Sequence, residues 1–343
     1  MIRQNFNADW TVEKGDGNSR MNSFLGNTQT KTVHLPYDAM IHEARTPDTK
    51  NGAQTGFYPG GEYIFQKHFT APQAWQGKPV SLVFEGVYQT ALVYLNGWLL
   101  TRNVNGYAEF TVEAGPYLKY GADNLLKVIA DNSLEPNSRW YTGSGIYRPV
   151  RLLVGNKVYL PQDTVRITTR EADEGFALLD VTAQVQSAST VTERVTLQQT
   201  ICREGTAVLT DRQNLLLQPG ESRTVSFRYC VDSPALWSPE NPNLYTSTMQ
   251  VLEGEEELDR EETGFGIRTL SIDAAHGVRI NGQTVKLRGA CIHHDNGILG
   301  AATLPDAEER RIRQLKEAGF NAIRSSHHPA GRALLDACDR YGV

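Results

Sequence analysis

Short β-rich runs separated by turn residues fill the first part of this chain, and they limit its fold more than any other feature. From Trp10 to about Val154 no helical period is sustained over three turns. Ser81–Glu85 and Thr90–Leu95 show the pattern, and the second run meets Asn96-Gly97, a pair that suits a two-residue hairpin turn. Many short strands without helices predict two facing sheets, so residues 1–155 are predicted to form a jelly-roll β-sandwich.

A second strand-rich region follows a change in composition near residues 155–163, where Gly, Asn and Pro occur in close succession and indicate a connection between two domains. Apolar residues at 179, 181, 183 and 185 alternate with polar ones, which is the period of a strand with one solvated face. Further strand patterns lie in 190–201, 223–229 and 244–252. Residues 156–269 are therefore predicted to form an immunoglobulin-like β-sandwich.

The pattern changes after Arg268 to strand, helix, strand, helix. A hairpin is predicted around Asn281-Gly282, with a second strand that runs into Ala290. A helix is predicted to begin at Pro305, a strand to cover Phe320–Arg324, and a second helix to cover Arg332–Tyr341. A (β/α)8 barrel needs about 250 residues. Residues 270–343 are therefore predicted to be the incomplete N-terminal part of a TIM barrel, which makes the whole chain multidomain and mainly β.

Charge and hydropathy exclude several classes of function. The 34 basic and 39 acidic residues among 343 give a net charge of -5, so no broad basic surface is expected to bind nucleic acid. Apolar runs are strand-sized, below the roughly 18 residues of a membrane helix, so no membrane partner is expected. Residues 1–10 hold no long apolar segment, which favours a cytoplasmic location.

The four cysteines lie far apart, and none forms a CxxC pair, so neither a metal ribbon nor a redox motif is expected. Reduced and mostly buried thiols are predicted. A disulfide between Cys202 and Cys230 is left open but disfavoured, because a cytoplasmic protein keeps its thiols reduced.

Two histidine pairs carry the clearest chemical signal: His293-His294 and His327-His328 each follow a predicted barrel strand. Side chains at the carboxyl ends of barrel strands point into the mouth of an active site. Imidazole there can donate a hydrogen bond to a sugar hydroxyl or transfer a proton. The alternative is buried histidines satisfied by neighbours, or metal ligands. Two pairs at corresponding strand ends favour a functional role for at least one histidine of each.

The run Asn321–Pro329, continuing through Leu334 to Val343, resembles glycoside hydrolase family 2, the β-galactosidase and β-glucuronidase group. His328 stands where that family usually has Tyr. Other segments are similar to the same family, so the resemblance spans almost the whole chain: Arg288–Asp295, Leu236–Tyr245 with Gly264–Arg268, and Arg139–Arg148 with Tyr58–Gly61.

The resemblance implies roles for individual residues. His293 and His327 would contact the glycone near the transition state. Arg324 would position the nucleophilic carboxylate, with a structural ion pair as the alternative. Asp295 is left open between a sugar contact and a loop turn.

Two tryptophans, Trp140 and Trp237, are predicted to lie at the site or at contacts between domains. Trp140, with Tyr141, is interpreted either as an aromatic platform that reaches the barrel mouth or as interdomain packing. Trp237 is interpreted as a core or domain contact.

Retaining glycosidases need two carboxyl groups about 5 to 5.5 Å apart. The resemblance implies two glutamates on later barrel strands, beyond Val343, so no catalytic residue is expected within this chain. The acids on the predicted helices are interpreted as solvated or capping residues: Glu308, Glu309, Glu317, Asp336 and Asp339.

The sequence therefore predicts the N-terminal portion of a retaining exo-β-glycosidase, inactive by itself, whose partner is a small carbohydrate. Terminal β-galactosides are the first choice of substrate, with β-glucuronidase or β-mannosidase activity and non-catalytic carbohydrate binding as alternatives. No cofactor is expected within the chain. A Mg²⁺ or Na⁺ ion in the complete enzyme and a homo-oligomer are both left open.

Overall fold

The computed structural model describes residues 1–15, 30–134 and 137–343. Within these ranges, the first part of the chain is a β-sandwich of a four-stranded and a six-stranded sheet. The smaller sheet has the order β1 (Ile2–Asn5), β10 (Val150–Val154), β5 (Val80–Phe84) and β8 (Phe110–Glu113). The larger sheet has the order β3 (Lys31–Val33), β2 (Trp10–Lys14), β4 (Gly61–Thr70), β9 (Asp123–Asn132), β6 (Thr90–Leu95) and β7 (Trp98–Asn103).

The core of this sandwich comes from alternating residues of both sheets. Trp10, Phe65 and Phe84 are completely buried between them. The predicted hairpin is confirmed: β6 and β7 pair antiparallel, and Asn96 (φ 52°) and Gly97 (φ 88°) make the left-handed turn that joins them. The sandwich predicted for this region is present.

A second β-sandwich follows, also with two sheets in the described part. Its first sheet holds β11 (Val158–Tyr159), β12 (Arg166–Ala172), β13 (Phe176–Ser187) and β16 (Ser222–Asp232), with β13 paired to the other three. Its second has the order β15 (Thr206–Leu217), β14 (Glu193–Arg203), β17 (Tyr245–Glu253) and β18 (Glu256–Phe265). The predicted immunoglobulin-like sandwich is therefore present, and the exact boundaries at 155 and 269 stay predictions.

The third part begins with a small antiparallel sheet and continues into two parallel strands. The small sheet is β19 (Leu270–Asp273), β20 (Gly277–Ile280) and β21 (Gln283–Thr284), and the parallel pair is β22 (Gly289–Ile292) and β23 (Ala322–Ser325). Helix α1 (Pro305–Glu317) connects the parallel strands, and α2 (Arg332–Tyr341) follows β23. This order of strand, helix, strand and helix is the one predicted for the start of a TIM barrel. The strand predicted to run from residue 284 into Ala290 is in fact two separate strands.

Five short 3-10 turns complete the described secondary structure: Met40–His42, Gly52–Thr55, Gln73–Trp75, Gly115–Tyr117 and Gly297–Leu299. Neither of the two described α-helices has the length and apolar character that crossing a membrane requires.

The cysteine prediction needs correction. All four thiols are free, as expected, but only Cys338 is buried, whereas Cys230 and Cys291 are exposed. Cys230 lies at an outward-facing position of β16, whose burial alternates along the strand. Cys291 lies on the face of β22 away from the helices, since its neighbour Ile292 packs against their apolar core.

Trp237 joins the second sandwich to the barrel strands and helices, as predicted for a domain contact. Its side chain is 3% exposed, and its Nε1–H donates to the carbonyl of Asp339 on α2 at 2.8 Å. The Arg268 guanidinium lies over the indole, 4.4 Å from the ring centroid.

Candidate active site

The two histidine pairs meet at the carboxyl ends of β22 and β23. These strands pair in parallel, with Ile292 opposite Ser325, so the residues that follow them emerge at the same edge. The ring centroids of His293 and His327 are 6.3 Å apart, and those of His294 and His328 are 4.8 Å apart. Four imidazoles thus occupy one corner of the molecule.

The second histidine of each pair faces the first sandwich. His294 is 6% exposed, and its Nε2–H donates to the carbonyl of Thr142 at 2.8 Å. Burial lowers the pKa of His294 to about 3, and the positive charge of Arg148 acts in the same direction. Burial also lowers the pKa of His328. Both imidazoles are therefore neutral near pH 7, and their role here is packing.

The first histidine of each pair is more open. His293 is half-buried, and its Nδ1–H donates to the carbonyl of Ser326 at 2.6 Å, so Nε2 is the nitrogen left for another partner. His327 is exposed. The peptide bond between Ser326 and His327 is cis. The ring nitrogens that can serve a ligand thus belong to His293 and His327.

Trp140 reaches these two imidazoles from the first sandwich. Its indole stacks on His293 with ring centroids 5.0 Å apart and planes at 12°, and it packs against His327 in a T-shaped arrangement with ring centroids 5.5 Å apart. It is therefore an interdomain contact and a wall of the histidine site at once. Tyr141 does not join this wall, because its hydroxyl donates to Asp38 at 2.6 Å and its ring packs against Tyr58.

Arg324 lies on β23 directly opposite Cys291 and is exposed. Its Nη1 is 3.6 Å from the Cys291 Sγ and 3.5 Å from the Ser326 Oγ. Within the described residues no carboxylate pairs with this guanidinium, so the structural ion pair considered as its alternative is not seen there. Hydrogen bonds from Ser326 and Arg324 lower the pKa of the Cys291 thiol.

Asp295 follows the first histidine pair in a loop held by Arg311. The Arg311 guanidinium donates to the carbonyl of His293 at 2.8 Å and also to the carbonyl of Asp295. No hydrogen bond to the Asp295 carboxylate is found in the described part of the chain. Its two predicted roles, a sugar contact and a loop turn, stay predictions.

The prediction that the acidic residues of the helices are solvated or capping is wrong for Glu308, which is buried. It is 2% exposed, accepts a hydrogen bond from Asn296 at 2.6 Å, and lies 3.8 Å from the Arg311 guanidinium. Burial raises the pKa of its carboxyl group. Acidic residues in a first helical turn are usually solvated. Glu308 is buried because the loop after β22 covers this turn.

Three family models match the chain, one for each part of the fold. They are a glycosyl hydrolase 2 galactose-binding domain-like model over residues 10–176, a glycosyl hydrolases family 2 model over 158–268, and a glycosyl hydrolases family 2 TIM barrel model over 274–343. The chain belongs to glycoside hydrolase family 2. The resemblance carried by the sequence motifs is thereby confirmed.

Known members of the family match along the whole chain. A β-galactosidase of Bacteroides ovatus is 37% identical over 99% of this chain and 40% of its own length. A putative β-glucuronidase of Formosa agariphila is 31% identical over 100% of this chain and 32% of its own. A solved family 2 structure from Bacteroides cellulosilyticus superposes with a TM-score of 0.92 and 36% identity, over 100% of this chain and 47% of that one. The chain spans less than half the length of each.

Sequence reasoning missed three residues that build this family 2 site: Tyr107, Arg148 and Asp38. Asp38 is buried and accepts hydrogen bonds from the backbone N–H groups of Met40, Ser144 and Ala301 and from the Tyr141 hydroxyl. Arg148 was visible only as the last residue of the segment that begins at Arg139. Nothing in the sequence near Tyr107 or Asp38 signals that tertiary contacts bring them to the barrel strands.

No set of three or more His, Cys, Asp and Glu side chains in the described ranges has the arrangement of a metal site. The four imidazoles of the histidine corner do not form such a set, and Nε2 of His294 and Nδ1 of His293 donate to backbone carbonyls.

Proposed function

We propose that this chain provides the sugar-binding sandwich, the immunoglobulin-like sandwich and the first barrel strands of a retaining exo-β-glycosidase that acts on terminal β-galactosides. One observation carries the proposal: His293, His327 and Trp140 converge at the carboxyl ends of two parallel strands. In a TIM barrel this is the end at which active sites are built.

Each of these side chains has a chemical task in glycoside hydrolysis. The reaction passes through an oxocarbenium-like state, in which hydrogen bonds to sugar hydroxyls strengthen. His293 Nε2 and the His327 ring bind those hydroxyls, and contacts that tighten in the transition state lower the barrier. The apolar face of Trp140 that is not covered by His293 packs against the C–H groups of the sugar.

The two carboxyl groups of the reaction lie, in this proposal, on barrel strands outside residues 1–343. Glu308 is an unsuitable substitute because Asn296 and Arg311 already engage its carboxylate. Arg324 supports the proposal, since it faces the strand surface without a carboxylate partner among the described residues. Its guanidinium is assigned to hold the nucleophilic carboxylate. The proposal routes no step through a metal ion or cofactor.

The choice of galactoside rests on the Bacteroides ovatus relative, which is a β-galactosidase, and on the net charge of -5, which disfavours an anionic sugar. The Formosa agariphila relative, a putative β-glucuronidase, makes a β-glucuronide the second candidate.

The test is a panel of 4-nitrophenyl β-D-galactoside, β-D-glucuronide and β-D-mannoside. Residues 1–343 alone should release no nitrophenol from any of them. The polypeptide extended through the downstream coding sequence should prefer the galactoside and give product with retained anomeric configuration. Hydrolysis by residues 1–343 that disappears in His327→Ala would contradict the assigned position of the carboxyl groups. Preference for another glycoside, or inverted product, would contradict the proposed substrate or mechanism.

A further inference from the structure

Tyr107 lies at the centre of the contacts between the first sandwich and the histidine site. It belongs to the loop between β7 and β8, and its ring stacks on His328 with centroids 4.4 Å apart and planes at 11°. The same ring makes a T-shaped contact with His294, with centroids 5.3 Å apart, and a tilted contact with Tyr88, with centroids 5.1 Å apart. The imidazoles of His294 and His328 thus both contact one side chain from another domain.

The hydroxyl of Tyr107 contacts the aromatic wall of the site. Trp140 donates its indole Nε1–H to this oxygen at 3.2 Å. Since Nε1–H is the only polar group of an indole, this bond is the hydrogen bond that can orient the ring. Burial raises the pKa of Tyr107, so the phenol stays neutral. The indole held in this way is the one that stacks on His293.

The backbone of Tyr107 is fixed from both sides. Asn105 Oδ1 accepts from the N–H of Tyr107 at 3.0 Å and closes the loop locally. The buried Arg148 donates to the carbonyl of Tyr107 at 2.7 Å and, from its other Nη, to the carbonyl of Pro329 at 2.9 Å. The same guanidinium therefore ties the Tyr107 loop to the loop that carries His327.

The loop also packs too closely to allow a side chain before Tyr107. A Cβ atom on Gly106 would lie 2.5 Å from Cδ2 of Tyr88, and the Gly106 carbonyl accepts from the Tyr147 hydroxyl at 2.9 Å. The position of Tyr107 is therefore set by packing on both sides of its backbone before any ligand is present.

We propose that Tyr107 is a positioning residue of the glycone site: its hydroxyl orients the Trp140 indole on His293, while its ring supports His328 beside His327. The inference rests on the proposed function for its consequence in catalysis. Its geometric part, the bond between Tyr107 and Trp140, stands independently of any substrate.

The test replaces Tyr107 by Phe, which keeps the ring and its stacking but removes the hydrogen-bond acceptor. Tyr117→Phe is the matched control, because Tyr117 is an exposed tyrosine of the same sandwich whose ring contacts Trp98. The readout is the set of five indole N–H resonances of the 15N-labelled chain, with that of Trp140 assigned by Trp140→Phe. Tyr107→Phe should move the Trp140 resonance upfield and speed its exchange with water, and Tyr117→Phe should leave it in place.

An unchanged Trp140 resonance in Tyr107→Phe would overturn the inference. In the extended, active polypeptide, Tyr107→Phe should lower kcat/KM for the aryl galactoside roughly three- to tenfold, the equivalent of one neutral hydrogen bond. The loss should vanish in a Trp140→Phe background, because the two residues act through one contact. An equal loss in both backgrounds would also overturn it. Absence of glycosidase activity would refute the proposed function and leave the resonance test to decide the positioning role.

Discussion

At the scale of single residues, burial decides which imidazoles of the corner can take part in chemistry. His294 and His328 pack against aromatic rings of the first sandwich and stay neutral, whereas His293 is half-buried and His327 is exposed. The sequence motif predicts that one histidine of each pair is functional. It does not identify that histidine, because tertiary contacts with Tyr107 and Tyr147 decide which imidazole is covered, and the local sequence does not show those contacts.

The low pKa of His294 predicts a dependence of stability on pH. Its folded pKa of about 3 lies below the ordinary 6.5, so the unfolded state binds more protons and stability falls as pH decreases below 6.5. Between pH 6.5 and 5, the contribution of His294 to the slope of the unfolding free energy should approach about 1.4 kcal/mol per pH unit, with His328 acting in the same direction and the buried carboxyl groups of Asp38 and Glu308 in the opposite one. Urea unfolding across this range measures it.

The variant His294→Gln should flatten the slope, since it removes the group whose protonation differs between the two states. His68→Gln is the control, because His68 lies on the outside of β4 against Asp123. An identical slope in wild type and His294→Gln would show that His294 is not held neutral by burial.

At the scale of elements, local turn and cap residues made several features predictable. The Asn96-Gly97 hairpin and the helix that begins at Pro305 form as their sequences indicate. Strands β15 and β18 were missed for a physical reason. Most of β15 is exposed and β18 is rich in charged residues, so neither shows a clear apolar alternation.

Two glycines with positive φ separate the cost of backbone conformation from the cost of crowding. A Cβ atom added to Gly97 (φ 88°) would have no neighbouring atom within 4 Å. Gly97→Ala should therefore cost about 1 kcal/mol of unfolding free energy, from the left-handed backbone conformation alone. A Cβ atom added to Gly143 (φ 67°) would lie 2.5 Å from Cβ of Ala301 and 2.8 Å from Oδ2 of Asp38. Gly143→Ala should therefore cost roughly 2 to 4 kcal/mol. Equal losses in chemical denaturation would contradict this close approach of the barrel loop.

At the scale of the whole molecule, the order of the three parts could be predicted from changes in strand and helix pattern. The way they pack could not, because it depends on pairs far apart in sequence. Arg332, the first residue of α2, shows this: it donates two hydrogen bonds of 2.9 Å to Glu109 of the first sandwich and also pairs with Asp163 at the start of the second.

Removing this three-way contact should loosen α2 from the sandwiches. Arg332→Gln should cost about 1 to 2 kcal/mol, because a bidentate pair within a network is lost but the side chain is partly solvated. Amide hydrogen exchange in α2 should then be roughly tenfold faster, as about 1.4 kcal/mol implies. Arg313→Gln, which breaks an exposed contact with Glu317 on α1, should leave hydrogen exchange in α2 unchanged. Equal protection in both variants would contradict the role given to Arg332.

His293 and His327, which both pack against Trp140, are proposed to bind the glycone. Its most direct test is a titration of the eight imidazoles of the 15N-labelled chain with a galactose-configured iminosugar, followed by long-range 1H–15N spectra. We expect the side-chain signals of His293 and His327 to shift in the wild-type chain and not in Trp140→Ala, while the exposed His68 stays constant in both. Two results would contradict this role: side-chain signals of His293 and His327 that do not shift at a saturating concentration of the iminosugar, or signals that shift equally in Trp140→Ala.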